Sequence, residues 1–337
     1  MTRRAPLPDS ILGTPFTRSE ARAAGVADRR LRARDIHSPF YGVHVDDSVA
    51  LTVENLCHAY ATRMSRPHAF SHVTAAQLYR LPLPLYAIAD TNIHVSVPGR
   101  ARQPRGRGVA GHAIATERWA FRRILVRDYA TGEMFELCVV EPAIVWAQLA
   151  EVLDHDDLVA LGDALVTGEM TPAASEVVMG PALATVGDLE VMCREWAGLR
   201  ESRARSSALN DVRVGALSRT ESLLRLMVIR AGIPEPQLNV MVCAPDGSPV
   251  RMADLVWPIE RVLTEYEGDD HRTSRGKFRG DISKFEEYAD AEWHGLRAHA
   301  DDLFVDPNPF IARLWRRLVA RGWQPTTEWR PVRPARA

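Results

Sequence analysis

A chain of 337 residues with 46% hydrophobic content is long enough for two or three domains, each with a core of its own. Its formal net charge of −1 excludes a global pull toward nucleic acid, so any such affinity has to come from local arginine patches. No run of about 18 apolar residues occurs and "MTRRAPLPDS" has no apolar core, so neither a membrane span nor a secretory signal is supported and the cytoplasm is the expected compartment.

The four cysteines, Cys57, Cys138, Cys193 and Cys243, are widely spaced with no CxxC, which argues against a zinc site or a disulfide framework. Of the 42 basic residues only Lys277 and Lys284 are lysine, and both closely follow an acidic stretch. An arginine-biased proteome explains the imbalance equally well.

Along the chain, "TRSE" (Thr17 to Glu20) is a capping box that starts a helix ending at Gly25. A second short helix is expected over "DRRLRAR", with Leu31 inward and Arg29, Arg30, Arg32 and Arg34 mostly outward, followed by a strand or hairpin wing at "SPFYGVHV". That order suits a winged helix-turn-helix, in which the four arginines would contact DNA phosphates and guanines. A solvated basic helix face is the competing reading. Residues 51–170 read as mixed α/β: helices at "VENLCHAYATRM", "SHVTAAQLYRL", "EPAIVWAQLAEVL" and "HDDLVALGDALV", and strands at "TNIHVSVP" and "FELCVV". The Gly- and Arg-rich "GRARQPRGRGVAGH" between the strands is expected as a loop whose arginines grip phosphates or are simply solvated. His72, His94 and His112 have no metal-ligand spacing and read as structural or surface residues. Residues 171–210 are the expected connection to the last domain.

That domain opens with the helix "LSRTESLLRLMVIRAGI", Glu221 near its start, and continues with the strands "QLNVMV" and "VRMADLVW", the four-residue turn "PIER" and the strand "VLTEYEG". Counting back across that turn, Trp257 pairs with Val262 and Asp254 falls opposite Glu265; period-two alternation puts Glu267 on the same face as Glu265. Like charges facing each other across a ladder are destabilising, which makes sense if an oxygen-preferring dication, Mg²⁺ or Mn²⁺, sits between them. A solvent-facing acidic strand pair is the alternative, weakened by the apolar neighbours Leu255, Val256, Val262 and Leu263. Downstream, Lys277, Asp281 and Lys284 share a helix face, and a strand at "HGLRAHA" and a helix at "NPFIARLWRRLVARGW" complete an αβββαβα-like order.

The series "RTES", "ADLVWPIERVLTEYEGDDH" and "RGDISKFEEY" resembles the family related to very-short-patch-repair endonucleases, within the PD-(D/E)XK nuclease superfamily, over roughly residues 211–322. The segments "FTRSEARAAGVADRRLR", "FYGVHV", "SHVTAAQLYRLPLP", "IHVSVP" and "LVALGDALV" resemble the AbiEi-type antitoxin domain, a winged-helix repressor. The resemblance implies a mixed α+β chain: a winged helix over 1–50, a central α/β domain over 51–170, a connection over 171–210, a restriction-endonuclease-like αβββαβ core over 211–325 and a tail over 326–337. It further implies Asp254 as the signature metal-binding aspartate, Glu265 as the second acidic ligand and Glu221 as the helix carboxylate completing or backing the site. Glu267 stands where the superfamily pattern has lysine. Either Lys284 has taken over that role, or His271 does the proton work, or catalysis is lost. The implied activity is Mg²⁺- or Mn²⁺-dependent hydrolysis of DNA. The alternative is a DNA-binding regulator with an inactive nuclease-like domain, and a toxin or restriction-system partner is left open.

Overall fold

The protein is described by a computed structural model covering residues 6–337 apart from 66, 128–131, 133, 169, 173–176 and 269–283. It is a mixed α+β fold whose strands form antiparallel and mixed sheets. Two compact units divide it: Met1–Val152 with Arg194–Ala197, and Leu153–Cys193 with Gly198–Ala337. Among the described residues no helix is long and apolar enough to cross a membrane.

The first unit begins with β1 (Phe16–Thr17), α1 (Arg18–Ala23), β2 (Ile36–Phe40) and β3 (Val43–Asp46), the strands forming a sheet of order β1-β3-β2. The Thr17/Glu20 capping box is made in both directions, which fixes where α1 starts. Phe16, Ala21, Val26, Leu31 and Ile36 close a small core beneath it. The expected second helix is cut to one 3-10 turn, Arg30–Arg32. Its cause is local: Arg30 forks onto Asp35 at 2.9 and 2.8 Å, and side chains five apart lie on different faces of an α-helix, so this bond closes a turn instead.

The remainder of this unit comprises α2 (Val53–Ala61), β4 (Ala69–Phe70), α3 (His72–Leu78), α4 (Leu85–Ile88), β5 (Ile93–Pro98), β6 (Val109–Ile114), β7 (Phe121–Arg127), β8 (Met134–Val140) and α5 (Pro142–Leu149). The sheet order is β6-β5-β4-β8-β7, with β5/β6 and β4/β8 parallel. The Gly- and Arg-rich stretch is therefore not all loop, since residues 109–112 belong to β6. Gly111 permits this: a Cβ there would lie 2.1 Å from the Pro104 carbonyl oxygen, so the chain can fold back over the strand only at a glycine.

The second unit contains α6 (His155–Thr167), β9 (Met170–Pro172), β10 (Val177–Met179), α7 (Val186–Glu195), α8 (Ser202–Asp211), α9 (Arg219–Arg230), β11 (Gln237–Cys243), β12 (Pro249–Trp257), β13 (Val262–Glu267), helical residues 284–290 (α10), β14 (His294–His299), α11 (Ala300–Phe304) and α12 (Asn308–Ala320). The expected helical connection at 171–210 contains α7, most of α8 and the strand pair β9/β10 among the described residues. Strands β11-β12-β13-β14 make one sheet, antiparallel up to β13 and parallel between β13 and β14. On one face Leu255, Trp257 and Val262 pack with Leu224 and Val228 of α9 and Phe310 and Leu314 of α12. On the other, Val256 and Leu263 pack with Tyr288 of α10. Gly295 sets the approach of α10, because a Cβ there would stand 2.6 Å from the Phe285 ring.

Helices α6 and α9 are locked by ions rather than by apolar contact alone. Asp163, fully buried, accepts from Ser222 Oγ at 2.7 Å, from the Arg213 amide at 2.6 Å and from Arg225 at 3.1 Å, and Arg225, buried as well, also donates to the Asp211 carbonyl at 2.6 Å. Removing one partner strands the other charge out of water. Asp163→Ala is expected to destabilise the protein by about 3–5 kcal/mol, measured by urea unfolding, against under about 1 kcal/mol for truncating the exposed pair partner Glu136.

Candidate functional site

The hairpin of β12 and β13 turns through Pro258–Arg261, with Trp257 paired to Val262, Val256 to Leu263 and Leu255 to Thr264. One step further in this register sets Asp254 opposite Glu265. There the backbone ladder gives way to side chains, and Asp254 Oδ2 accepts the Tyr266 amide at 2.8 Å. Glu265 is 3% exposed, and both its oxygens are engaged from α10: Lys284 Nζ stands 2.6 Å from Oε2, and the Tyr288 hydroxyl donates to Oε1. Helix spacing delivers both contacts, since positions 284 and 288 are one turn apart.

Glu221 lies behind the pair, in the first turn of α9. It takes the Ser218 hydroxyl at 2.8 Å, the Leu217 amide at 2.8 Å and the Asn239 side-chain amide at 2.6 Å, so it caps its own helix and ties that helix to β11. Its charge still reaches Asp254.

These carboxylates are held against their usual preference. Burial pushes Asp254 up to about 6, with Glu221's charge adding to it, while the Tyr266 amide and Lys284 pull back. Burial likewise pushes Glu265 up to about 7, helped by the charge of Asp254 and opposed by Lys284. Glu221 is raised by burial, and the Tyr288 hydroxyl well above its ordinary value by burial and the adjacent Glu265.

Glu267 is drawn elsewhere. Its carboxylate pairs with Arg297 at 3.1 Å and approaches His299 at 3.8 Å, both on the parallel strand β14, and Arg297 in turn lies over the Phe285 ring at 4.3 Å. His271, Lys277 and Asp281 fall outside the described residues. Of the arginines expected on DNA, Arg29, Arg32 and Arg34 are exposed, whereas Arg30 is half-buried on Asp35.

A second cluster joins three histidines that are far apart in sequence. His94 of β5 and His112 of β6 share a sheet face, because the parallel register pairs His94 with Ala110 and Ser96 with His112. His72, the first residue of α3, stacks on His112 with ring centroids 3.8 Å apart. Burial and the neighbouring imidazoles hold His72 well below its usual range and His112 down to about 4, and burial lowers His94. One nitrogen from each ring lies within 4.8 Å of the others, an arrangement of three ligand atoms that Asp254, Glu265 and Glu221 do not make among the described residues. The signal available in sequence was weak: "SHV", "IHV" and "AGHA" each put one His beside small or β-branched residues, and only the sheet register brings them together.

No family model matches the sequence, and no curated protein matches it. The chain is a mixed α+β fold with a partly buried carboxylate–lysine cluster on its C-terminal sheet.

Carboxylates with raised pKa values favour the proton-bound folded state. Their contribution to stability is therefore complete below about pH 4 and is lost as pH rises through the raised values near 6 and 7. In metal-free buffer the urea midpoint should carry a component that falls between pH 4 and 7 and that flattens in Asp254→Asn. An unchanged slope in that variant would contradict the assignment.

Proposed function

We propose that the C-terminal unit hydrolyses phosphodiester bonds in DNA with the help of a bound dication. The observation that carries the reading is the meeting of Asp254, Glu265 and Lys284 in one partly buried cluster, on a sheet whose αβββαβ order supports the resemblance to repair endonucleases. The donor chemistry fits an oxygen-preferring ion: among the described residues, two opposed carboxylates with a third behind them carry more negative charge than Lys284 offsets. Asp254 and Glu265 would hold Mg²⁺ or Mn²⁺, with Glu221 backing them. Such an ion, when bound, supplies positive charge against a phosphate and makes water more acidic.

The chain's own groups supply the rest. Lys284 is partly exposed, so its ammonium can leave Glu265 to meet a phosphate oxygen or orient an attacking water. Tyr288, held neutral, fixes the Glu265 carboxylate in place through its hydroxyl. Glu267 is bound by Arg297 and leaves the lysine function of the superfamily pattern to Lys284. Exposed Arg29, Arg32 and Arg34 would hold DNA phosphates.

One observation favours the rival reading of a regulator with a retired nuclease-like unit: both oxygens of Glu265 already have partners on α10. The two readings separate in one assay. Supercoiled plasmid should be nicked or cut with Mg²⁺ or Mn²⁺ and left intact with a chelator. Asp254→Ala and Glu265→Ala should reduce the rate to background, and Lys284→Ala by about 100-fold or more. Uncut plasmid in every metal, together with gel shifts abolished in an Arg29→Ala/Arg32→Ala double variant, would favour the regulator; parallel assays on RNA fix the substrate.

A further inference from the structure

The histidine cluster of the first unit lies outside the nuclease reading and has the form of a ligand site. We infer that His72, His94 and His112 bind a borderline transition-metal dication, Zn²⁺ fitting best, with Asp90 as the outer carboxylate and a fourth position open to water.

The donor set decides the class of ion. Three imidazoles suit Zn²⁺, Co²⁺, Ni²⁺ or Cu²⁺, whereas Mg²⁺ and Ca²⁺ take oxygen ligands. The spacing is compatible with a shared ion: His94 Nδ1 and His112 Nε2 stand 3.0 Å apart, and all three donor atoms lie within 4.8 Å of one another. Ligands at about 2.0–2.1 Å from a tetrahedral zinc lie about 3.3 Å from each other, so a small side-chain rotation completes the triangle.

The surroundings are arranged as they are around metal-bound imidazoles. His94 turns its other ring nitrogen, Nε2, toward Asp90 Oδ2 at 3.4 Å, and that nitrogen has no closer hydrogen-bond partner. A carboxylate on the outer nitrogen fixes the tautomer that leaves Nδ1 for the ion and raises its basicity. His72 is engaged at Nδ1 by Ser71 Oγ at 3.0 Å, which leaves Nε2 as its donor. The backbone beneath is pinned as well. Buried Gln148 accepts the His72 amide at 3.1 Å and reaches Ser96 Oγ at 3.4 Å, and Ser96 is the residue paired with His112. Thr74 Oγ1 accepts the His94 amide at 2.8 Å. His72 itself has φ of +50°, a left-handed conformation uncommon for a side-chain-bearing residue, and it places that ring over the sheet at the start of α3. His94 is buried, and His72 and His112 are partly buried.

The test uses the full chain stripped with a chelator and titrated calorimetrically with ZnCl₂, then with MgCl₂. One equivalent of Zn²⁺ is expected to bind with a dissociation constant below about 1 μM and to raise the melting temperature in step with concentration, and Mg²⁺ is expected not to compete. His112→Gln and His72→Gln, both at partly exposed positions and checked for folding by circular dichroism, should each weaken binding at least 100-fold. Asp90→Asn should weaken it about 10- to 100-fold. Asp254→Ala should leave it unchanged, which separates this site from the carboxylate cluster. Absence of saturable Zn²⁺ binding, or wild-type affinity in folded His112→Gln, would overturn the inference.

Discussion

Two carboxylates facing each other across an antiparallel ladder, Glu265 buried and Asp254 partly so, form the constraint around which the C-terminal unit is organised. Asp254 and Glu265 repel, and an interior position makes that repulsion costly. The fold answers with polar partners: the Tyr266 amide on Asp254 Oδ2, Lys284 and Tyr288 on Glu265, and Glu221 engaged by its own helix cap and Asn239. An apolar pair would have made a more stable sheet. Carboxylates kept at such a cost support the proposed cation site.

The scaffold around the pair limits how far it can move. Helix α10 carries both Lys284 and Tyr288 and is seated by Phe285 over Gly295, so both partners of Glu265 arrive together. On the opposite sheet face, α9 is anchored to α6 through the buried Asp163–Arg225 pair and through Asp157–Arg219. Ionic groups thus occur on both faces of the sheet, in one place at the proposed chemistry and in the other as an inter-helix lock. Their chemical difference is legible in the partners: arginines answer the carboxylates between α6 and α9, whereas Lys284 pairs with Glu265 and only its charge reaches Asp254.

Much of this was readable from the residues. The hairpin follows from a proline-led four-residue turn between two period-two strands, and that turn alone fixes Asp254 against Glu265. Lys284 could be nominated because so few lysines are available and because helical spacing aligns it. The fate of Glu267 was not readable. Alternation puts it beside Glu265, yet the residue that claims it, Arg297, belongs to a strand that joins the sheet in parallel after a helix, and no local pattern announces that partner. The shortened second helix has the same origin, since the fork of Arg30 on Asp35 outweighs a helical run of arginines. The histidines are the fullest case: one lies at a helix start and two on neighbouring strands, and β6 itself was masked by a glycine-rich stretch that reads as loop.

The proposed role of the Asp254–Glu265 pair is to receive a dication. Calorimetric titration of the metal-stripped protein with MnCl₂ tests it most directly, comparing wild type, Asp254→Asn and a His112→Gln variant that removes the histidine cluster. Saturable Mn²⁺ binding is expected to persist in His112→Gln and to disappear in Asp254→Asn. Binding absent from the wild type, or undiminished in Asp254→Asn, would contradict it.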